Sequence, residues 1–412
     1  MTSALTLLSA RTVRIDDPGP LLDLLPEEGA LAWVTGTEGL VGWGAAARVT
    51  FTGPDRFADA GSWWRNLLHG SSITDEVGLP GTGPLAFGSF AFDGAASSSV
   101  LVVPEVVVGH RDGLWWLTTI GPALGRGGLP RRTAARAPGT VRFADGSLSS
   151  ATWSRVVDDA VNRITAGEVA KVVLALDIEA RTDLPLDVRW PLRRLAAGYP
   201  GCRTFVVEGL IGATPEIYVR LEKGVATSRV LAGTIRRSGD AGRDVAEAAS
   251  LARSSKDLEE HEYAVCSVAE ALTPHCGSVE VPPEPFVLHL HNVMHLATDV
   301  TGVVTDGSTS LGLVASLHPS AAVCGTPTEA ALELIREIEG MDRGRYAGPV
   351  GWMDAAGDGE WGIALRCAER DREDPRRLRL FAGCGIVAGS QSEEELVESA
   401  AKLIPMRDAL QS

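Results

Sequence analysis

The first 120 residues of the chain are a series of short apolar runs separated by glycine, proline and aspartate. The runs lie at 31–34, 85–92, 100–108 and 114–120. Apolar runs of this length between turn-forming residues are typical of short β-strands. The N-terminal part of the chain is therefore predicted to be rich in β-structure.

The rest of the chain mixes helical and strand patterns. Apolar spacing predicts a helix at 154–166, and an apolar run after Gly167 predicts a strand at 169–178. Further helices are predicted at 245–272, 328–339 and 392–404, the last ended by Pro405, and further strands at 205–210, 217–221, 285–290, 348–353, 360–368 and 377–382. The strands come mostly in hairpin-like pairs and lack the strand–helix alternation of a doubly wound sheet, which favours an α+β fold.

A loop at 125–139, rich in arginine, glycine and proline, marks a soft boundary within the chain. With 412 residues, of which 45% are hydrophobic, the chain is long enough to bury a large core. We expect residues 1–140 to be a divergent, β-rich N-terminal portion of one fold and residues 150–407 to be the functional domain.

The charge balance limits the possible partners. A formal net charge of −15 without a basic stripe argues against nucleic acid and anionic membrane as partners, so an anionic substrate would need local cations. The six cysteines show no Cys-x-x-Cys spacing and are predicted to be reduced thiols. With no basic leader and no run of 18 uncharged apolar residues, we expect a soluble, cytoplasmic protein.

Five polar motifs follow one another through the C-terminal part. They are Gly-Ala-Thr-Pro-Glu at 212–216, Leu-Ala-Gly-Thr at 231–234, Ser-Ser-Lys-Asp-Leu-Glu-Glu-His at 254–261, His-Leu-Ala-Thr at 295–298, and Gly-Cys-Gly-Ile-Val at 383–387, followed by Glu395 and Glu398. In this order they resemble the chorismate-utilising enzymes. The resemblance implies a large antiparallel β-sandwich flanked by helices, with residues 150–407 as the chorismate-binding domain.

Two residues are candidates for acid–base chemistry. Lys171 lies among the apolar strand residues 170–176, so its ammonium either extends to an edge or is partly desolvated. Glu216 alone would be an ordinary turn acid. The resemblance implies that Lys171 is a general base that activates water and that Glu216 is a general acid that protonates the departing ring hydroxyl.

Three glutamates are candidates for metal binding. Glu260 lies near a predicted helix start, and Ser392-x-x-Glu395 reads as a capping box, both ordinary features of a helix N-terminus. The resemblance implies that Glu260 and Glu398 ligate one Mg²⁺ and that Glu395 supports them, and Mg²⁺ does prefer hard carboxylate oxygens. His289, His291 and His295 share strand parity, but no cysteine or acid completes a closed zinc site near them.

The remaining candidates concern the substrate. Arg366 is the lone charge in an apolar strand pattern, so a carboxylate partner is expected, supplied either by the protein or by a ligand. The resemblance implies that Arg366 and Tyr346 bind the enolpyruvyl carboxylate and that Lys402, with the backbone of Gly383 and Gly385, lies near the ring carboxylate. It also implies that the pocket is lined by Thr234, His295, Thr298 and Ala322.

Three positions bear on which reaction is catalysed. In the family, Lys171 argues against the ammonia-using anthranilate synthases, Ala232 against the lysine-nucleophile aminodeoxychorismate synthases, and Ala322 favours isochorismate over salicylate as product. The resemblance thus implies a Mg²⁺-dependent, monomeric enzyme that forms isochorismate without an amidotransferase subunit, for menaquinone or siderophore biosynthesis. Salicylate formation and a non-catalytic chorismate-binding protein remain the alternatives.

Overall fold

The computed structural model describes residues 8–95, 97–122, 128–237, 240–289 and 293–411. The strands are β1 Ser9–Ile15, β2 Leu31–Thr35, β3 Glu38–Trp43, β4 Ala47–Phe51, β5 Ser72–Asp75, β6 Leu85–Ser89, β7 Ser99–Val103, β8 Val106–Arg111, β9 Leu114–Gly121, β10 Val141–Asp145, β11 Lys171–Thr182, β12 Arg203–Val207, β13 Leu210–Thr214, β14 Ile217–Glu222, β15 Val225–Arg236, β16 Cys276–Glu280, β17 Phe286–His289, β18 Val293–Val304, β19 Gly325–Thr326, β20 Pro349–Asp354, β21 Gly359–Ile363, β22 Cys367–Arg370 and β23 Arg377–Ile386. The helices are α1 Arg56–Leu68, α2 Ser150–Thr165, α3 Arg189–Gly198, α4 Ala241–Leu251, α5 Ser255–Leu272, α6 Ser310–Leu317, α7 Thr328–Ile338 and α8 Ser392–Leu410, with short 3-10 turns at Leu21–Leu24 and Thr273–His275.

The strands form two large sheets. The first has the order β10-β11-β23-β22-β13-β12-β2-β3-β8-β9-β1-β5, with β19 beside β11, and the second has the order β16-β18-β15-β14-β21-β20-β6-β7-β4, with β17 beside β18. Within the described residues, neighbouring strands are antiparallel apart from the parallel pair β1 and β5. The predicted α+β fold with large antiparallel sheets is confirmed.

The main core lies between the two sheets. Leu31 and Trp33 of β2 point into it, whereas Ala32 and Val34 belong to a second cluster on the outer face, which α3 and α8 cover. A Cβ added to Gly362 of the second sheet would come within 2.9 Å of the Trp33 ring, so glycine is needed where the sheets approach closely. None of the helices within the described ranges has both the length and the apolar character of a membrane span.

Two helix predictions were wrong. The region 245–272 forms parts of two helices, α4 and α5, because the helical conformation is interrupted between Leu251 and Ser255. Pro405 lies inside α8, which continues to Leu410. Proline removes one backbone hydrogen bond there, but the packing of this helix on α2, α3 and β23 outweighs that local cost.

The six cysteines are free, as predicted.

Candidate functional site

The candidate site is built around two neighbouring places where the chain crosses between the sheets. Residues 214–217 lead from β13 in the first sheet to β14 in the second, and residues 363–367 lead from β21 back to β22. Because β13 pairs with β22 and β14 pairs with β21, the two crossings run side by side. Glu216 lies on the first crossing and Arg366 on the second.

Backbone hydrogen bonds hold the crossing that carries Glu216. The N–H of Glu216 donates to the Thr214 hydroxyl oxygen at 3.2 Å, and the N–H of Ile363 donates to the Glu216 carbonyl at 3.0 Å. These bonds satisfy the backbone of Glu216 without using its carboxyl group. The carboxyl group is therefore available for chemistry.

Arg366 does not lie in a continuous strand, contrary to the sequence prediction. Its φ of 49° ends the apolar run, so the predicted strand at 360–368 becomes β21 and β22 with a bend between them. Such a φ is costly for a side chain with a Cβ and is maintained here by the surrounding structure. Within the described ranges, the half-buried guanidinium has neither a hydrogen bond nor an ion pair. A ligand carboxylate is thus a suitable partner for it.

Glu216 has the electrostatics of a proton donor. Burial raises the pKa of Glu216, and the charges of Arg366, Lys402 and Lys171 act in the opposite direction. The influence of these three cations shows that the structure gathers them around one carboxyl group. Desolvation wins over the three cations, so the protonated form is favoured relative to an exposed glutamate.

Lys171 begins β11 and lies against Gly385 of the neighbouring strand β23. A Cβ added to Gly385 would come within 2.9 Å of the Lys171 Cε and 3.5 Å of its Nζ. The lysine side chain therefore runs over a position that only glycine leaves open.

Lys402 connects α8 with the same strand. Its Nζ donates to the Gly383 carbonyl at 2.8 Å and lies 2.7 Å from the Glu398 carboxylate. Tyr346 approaches Gly383 from the other side, because a Cβ at 383 would lie 3.1 Å from the Tyr346 hydroxyl. The Tyr346 ring is buried and stacks on Phe381 at a centroid distance of 5.1 Å. Gly383 is thus the meeting point of two of the predicted substrate-binding side chains.

His295 comes from β18 in the second sheet. Burial, assisted by the charge of Arg366, lowers the pKa of His295 to about 4, while a hydrogen bond with the Gly233 backbone opposes that shift. The ring is therefore neutral at physiological pH. Gly233, with φ of 70°, forms a bulge that places Thr234 opposite His295 in the strand pairing. The side chain of Thr234 lies outside the described part of the structure.

His261 is a residue that the sequence analysis did not assign. Its Nε2 lies 2.7 Å from the hydroxyl of the predicted pocket residue Thr298, and both side chains are buried. Burial lowers the pKa of His261, which favours the neutral ring in this hydrogen bond. The only sequence signal was its place directly after the candidate metal ligand Glu260.

Ala322 and Glu216 line one small cavity of about 50 Å³, together with Ser228, Ser320 and Tyr218. The cavity is large enough for a water molecule and is lined partly by hydroxyl groups. Ala322 and the candidate acid Glu216 thus face the same cavity. The family resemblance had implied that Ala322 lines the pocket, and its placement beside Glu216 agrees with that expectation.

The candidate metal ligands are only partly described. Glu395 and Glu398 lie in the first turns of α8, whereas the side chain of Glu260 on α5 is outside the described part. The capping-box prediction was wrong, because the helix N-cap is Gln391 and Ser392 already lies inside the helix. Among the described residues, no group of three or more His, Cys, Asp or Glu side chains could hold a metal ion, and His291 of the histidine cluster is outside them.

The chain that forms this site has known relatives. Residues 31–120 and 130–411 match the family described as "Chorismate binding enzyme", so the chain belongs to that family. It is 41% identical over 266 residues to isochorismate synthase DhbC of Bacillus subtilis, a match that covers 62% of this chain and 66%, just under two thirds, of the relative. It is 36% identical over 344 residues to a putative isochorismate synthase MenF of Mycobacterium tuberculosis, with 80% and 87% covered.

Solved structures extend the comparison to nearly the whole chain. A putative 2,3-dihydroxybenzoate-specific isochorismate synthase, DhbC, from Bacillus anthracis superimposes with a TM-score of 0.78 at 31% identity and covers 95% of this chain and 98% of its own. The menaquinone-specific isochorismate synthase MenF of Escherichia coli superimposes with a TM-score of 0.82, covering 98% and 95%, and at 22% identity it supports the fold alone.

Proposed function

We propose that this protein is an isochorismate synthase, an isomerase that adds water at C2 of chorismate and removes the hydroxyl group at C4. The relatives that carry this activity in their names include enzymes of both menaquinone and siderophore biosynthesis. The proposal covers either pathway.

In the proposed reaction, Lys171 and Glu216 divide the proton transfers. In its unprotonated form, Lys171 takes a proton from a water molecule, whose oxygen bonds to C2 while the ring double bonds shift and the C4–O bond breaks. Glu216 gives its proton to the departing oxygen, which leaves as water. Lys171 ends protonated and Glu216 ionised, and proton exchange with solvent restores both groups. General acids and bases of this kind typically contribute about 10²- to 10⁴-fold each in rate.

The cations around Glu216 suit a substrate with two carboxylates. Arg366 would bind the enolpyruvyl carboxylate together with the Tyr346 hydroxyl, and Lys402 with the glycine backbone of β23 would bind the ring carboxylate. Neutral His295 and the hydroxyl groups of Thr298 and Thr234 would line the pocket without adding charge. The chain carries a net charge of −15, so these local cations are what attracts an anionic ligand.

We further propose that Mg²⁺ is the cofactor. The described donors fit a hard cation: Glu398 is 54% exposed, so its carboxylate can turn toward an ion, and Glu395 lies one turn earlier on the same helix. Glu398 and Glu260 would hold the ion, with Glu395 supporting them. When bound, the ion would supply positive charge to the ring carboxylate and so orient the substrate.

One observation carries the proposal: the half-buried carboxyl group of Glu216 has a pKa that burial raises, and Arg366, Lys402 and the amine of Lys171 are near enough to influence it. An acid with a raised pKa beside an amine is the pair that concerted hydration and dehydration need. Ala322 lines the cavity next to Glu216, and alanine at this position is what the family resemblance associates with isochorismate rather than salicylate.

The test is to incubate the purified protein with chorismate and Mg²⁺ and to separate the products by chromatography. Isochorismate alone is expected. Salicylate together with pyruvate would identify a salicylate synthase instead, and unchanged chorismate, with binding detected by calorimetry, would identify a non-catalytic binding protein. We also propose that the enzyme is a cytoplasmic monomer without an amidotransferase subunit. Sedimentation of the purified chain would test its oligomeric state.

A further inference from the structure

Glu339, the residue directly after α7, and Arg343, four positions further along the chain, form a buried ion pair. The Arg343 Nε lies 2.7 Å from Glu339 Oε1, and its Nη2 lies 2.6 Å from Oε2. The side chains are 1% and 3% exposed, respectively. Two charges removed from water to this extent need further hydrogen bonds to be tolerated.

Those further hydrogen bonds go to the strand that carries Lys171. The Ala175 N–H donates to Glu339 Oε2 at 2.8 Å, and the Arg343 Nη2 donates to the Val173 carbonyl at 2.6 Å. On this edge β11 pairs with β19 at residues 171–172 and with β10 from residue 178 onward. Between those pairings, within the described ranges, no strand covers the edge, and the ion pair supplies hydrogen bonds that a strand would otherwise make.

The contact lies next to the catalytic end of β11. Val173 is two residues from Lys171 and pairs with Gly385, the glycine over which the lysine side chain runs. Arg343 also donates to the Val323 carbonyl at 2.8 Å, which joins the strand to the loop that carries Ala322. On this edge the ion pair acts beside two other contacts, the Val173 N–H donating to the Cys324 carbonyl at 2.8 Å and the Trp153 Nε1–H donating to the Ala175 carbonyl at 2.9 Å. It is the contact that brings two charged side chains to residues 173–175.

We propose that Glu339 and Arg343 are positioning residues for Lys171. They hold β11 at residues 173–175, so that the lysine amine is aligned with the water it deprotonates. This inference rests on the role of Lys171 in the proposed function, and the experiment separates the two.

The test removes the ion pair without leaving a lone buried charge. The double substitution Glu339→Leu with Arg343→Met replaces the pair by apolar side chains of similar size, which often preserves stability. The expected result is a folded protein whose kcat is about 10- to 100-fold lower, because small displacements of a catalytic group have effects of that size. If this variant does not fold, the neutral pair Glu339→Gln with Arg343→Gln replaces it.

A second measurement asks whether the pair acts through Lys171. The same double substitution is made in the Lys171→Ala enzyme, where a positioning effect on the lysine has nothing left to act on. The residual kcat is expected to fall by no more than about threefold further, since effects of residues that act as a unit are not additive. A full 10- to 100-fold further loss would show a general structural role and overturn the proposal.

The matched control is another buried arginine–carboxylate pair. Asp187 and Arg189 are joined by hydrogen bonds of 2.7 and 2.8 Å, and their side chains are 0% and 2% exposed. Asp187→Leu with Arg189→Met should leave kcat near that of the unmodified enzyme. A kcat within twofold of wild type in the folded Glu339/Arg343 variant also overturns the proposal. Normal activity of Lys171→Ala would instead contradict the proposed function itself.

Discussion

The backbone N–H of Ala213 donates a hydrogen bond of 3.3 Å to the carbonyl of Arg366. This bond joins the two chain crossings on the side of the first sheet, and the bond from Ile363 to Glu216 joins them on the side of the second. The acid and the guanidinium are therefore placed by backbone pairing. Substitution of either side chain should alter chemistry more than folding.

Lys171→Ala and Glu216→Gln should each lower kcat by about 10²- to 10⁴-fold, the usual contribution of one general base or acid. Circular dichroism should show an intact fold in both variants. The matched control is Lys223→Ala, because Lys223 is an exposed lysine in the turn between β14 and β15. Near-normal turnover in either site variant would contradict the roles given to the two residues.

Glu216→Gln should stabilise the protein increasingly as the pH rises. When folding raises the pKa of a carboxyl group, the protonated group contributes to the stability of the folded state. That contribution is complete below the pKa of the group in the unfolded chain, about 4.3, and is lost as the pH rises through its pKa in the folded protein. Glutamine stays neutral throughout, so the difference in melting temperature between variant and wild type should widen across this range. A difference that does not change with pH would argue against a raised pKa at Glu216.

Gly385→Ala should reduce activity with little effect on stability. The added Cβ would press on the flexible end of Lys171, at 2.9 Å from its Cε, so the lysine moves while the backbone stays in place. A displacement of this kind is expected to lower kcat by about 10- to 100-fold. Gly389→Ala is the control, because a Cβ at 389 has no atom within 4 Å among the described residues. Equal activities of the two variants would show that the contact is unimportant.

Treatment with EDTA should abolish activity, and added Mg²⁺ should restore it. Glu398→Gln should raise the Mg²⁺ concentration needed for half-maximal activity, because it removes one charged oxygen ligand. Glu393→Gln serves as control, since Glu393 is an exposed acid in the first turn of the same helix. If both variants need the same Mg²⁺ concentration as wild type, Glu398 is not a ligand.

The sequence predicted the elements of the site better than their arrangement. Lys171 and Glu216 each stand in a contiguous sequence pattern, and such a pattern can be recognised from one segment alone. That Glu216 and Arg366 lie on adjacent crossings depends on which distant strands pair, and no local pattern encodes that. The bend at Arg366 was missed for a related reason, since an apolar run does not reveal a residue with positive φ.

The ion pair of Glu339 and Arg343 shows the same limit. Glu339 ends the predicted helix at 328–339 and Arg343 lies beyond it, so no local pattern indicates that their side chains pair. Their burial follows from the uncovered edge of β11, which exists only in the folded sheet. In the same way, the apolar pattern predicted α8 up to residue 404, but the tertiary contacts that carry it through Pro405 come from other parts of the chain.

The interleaving of early and late strands limits how this enzyme can be shortened. Strands β2 and β6, from the first third of the chain, lie beside β12 and β20 in the middle of the two sheets. A fragment cut at residue 150 would leave both of those buried strands as bare edges, which recruit other chains and aggregate. Protein engineers who seek a minimal catalyst should therefore vary the surface loops and retain the N-terminal third, however far its sequence diverges.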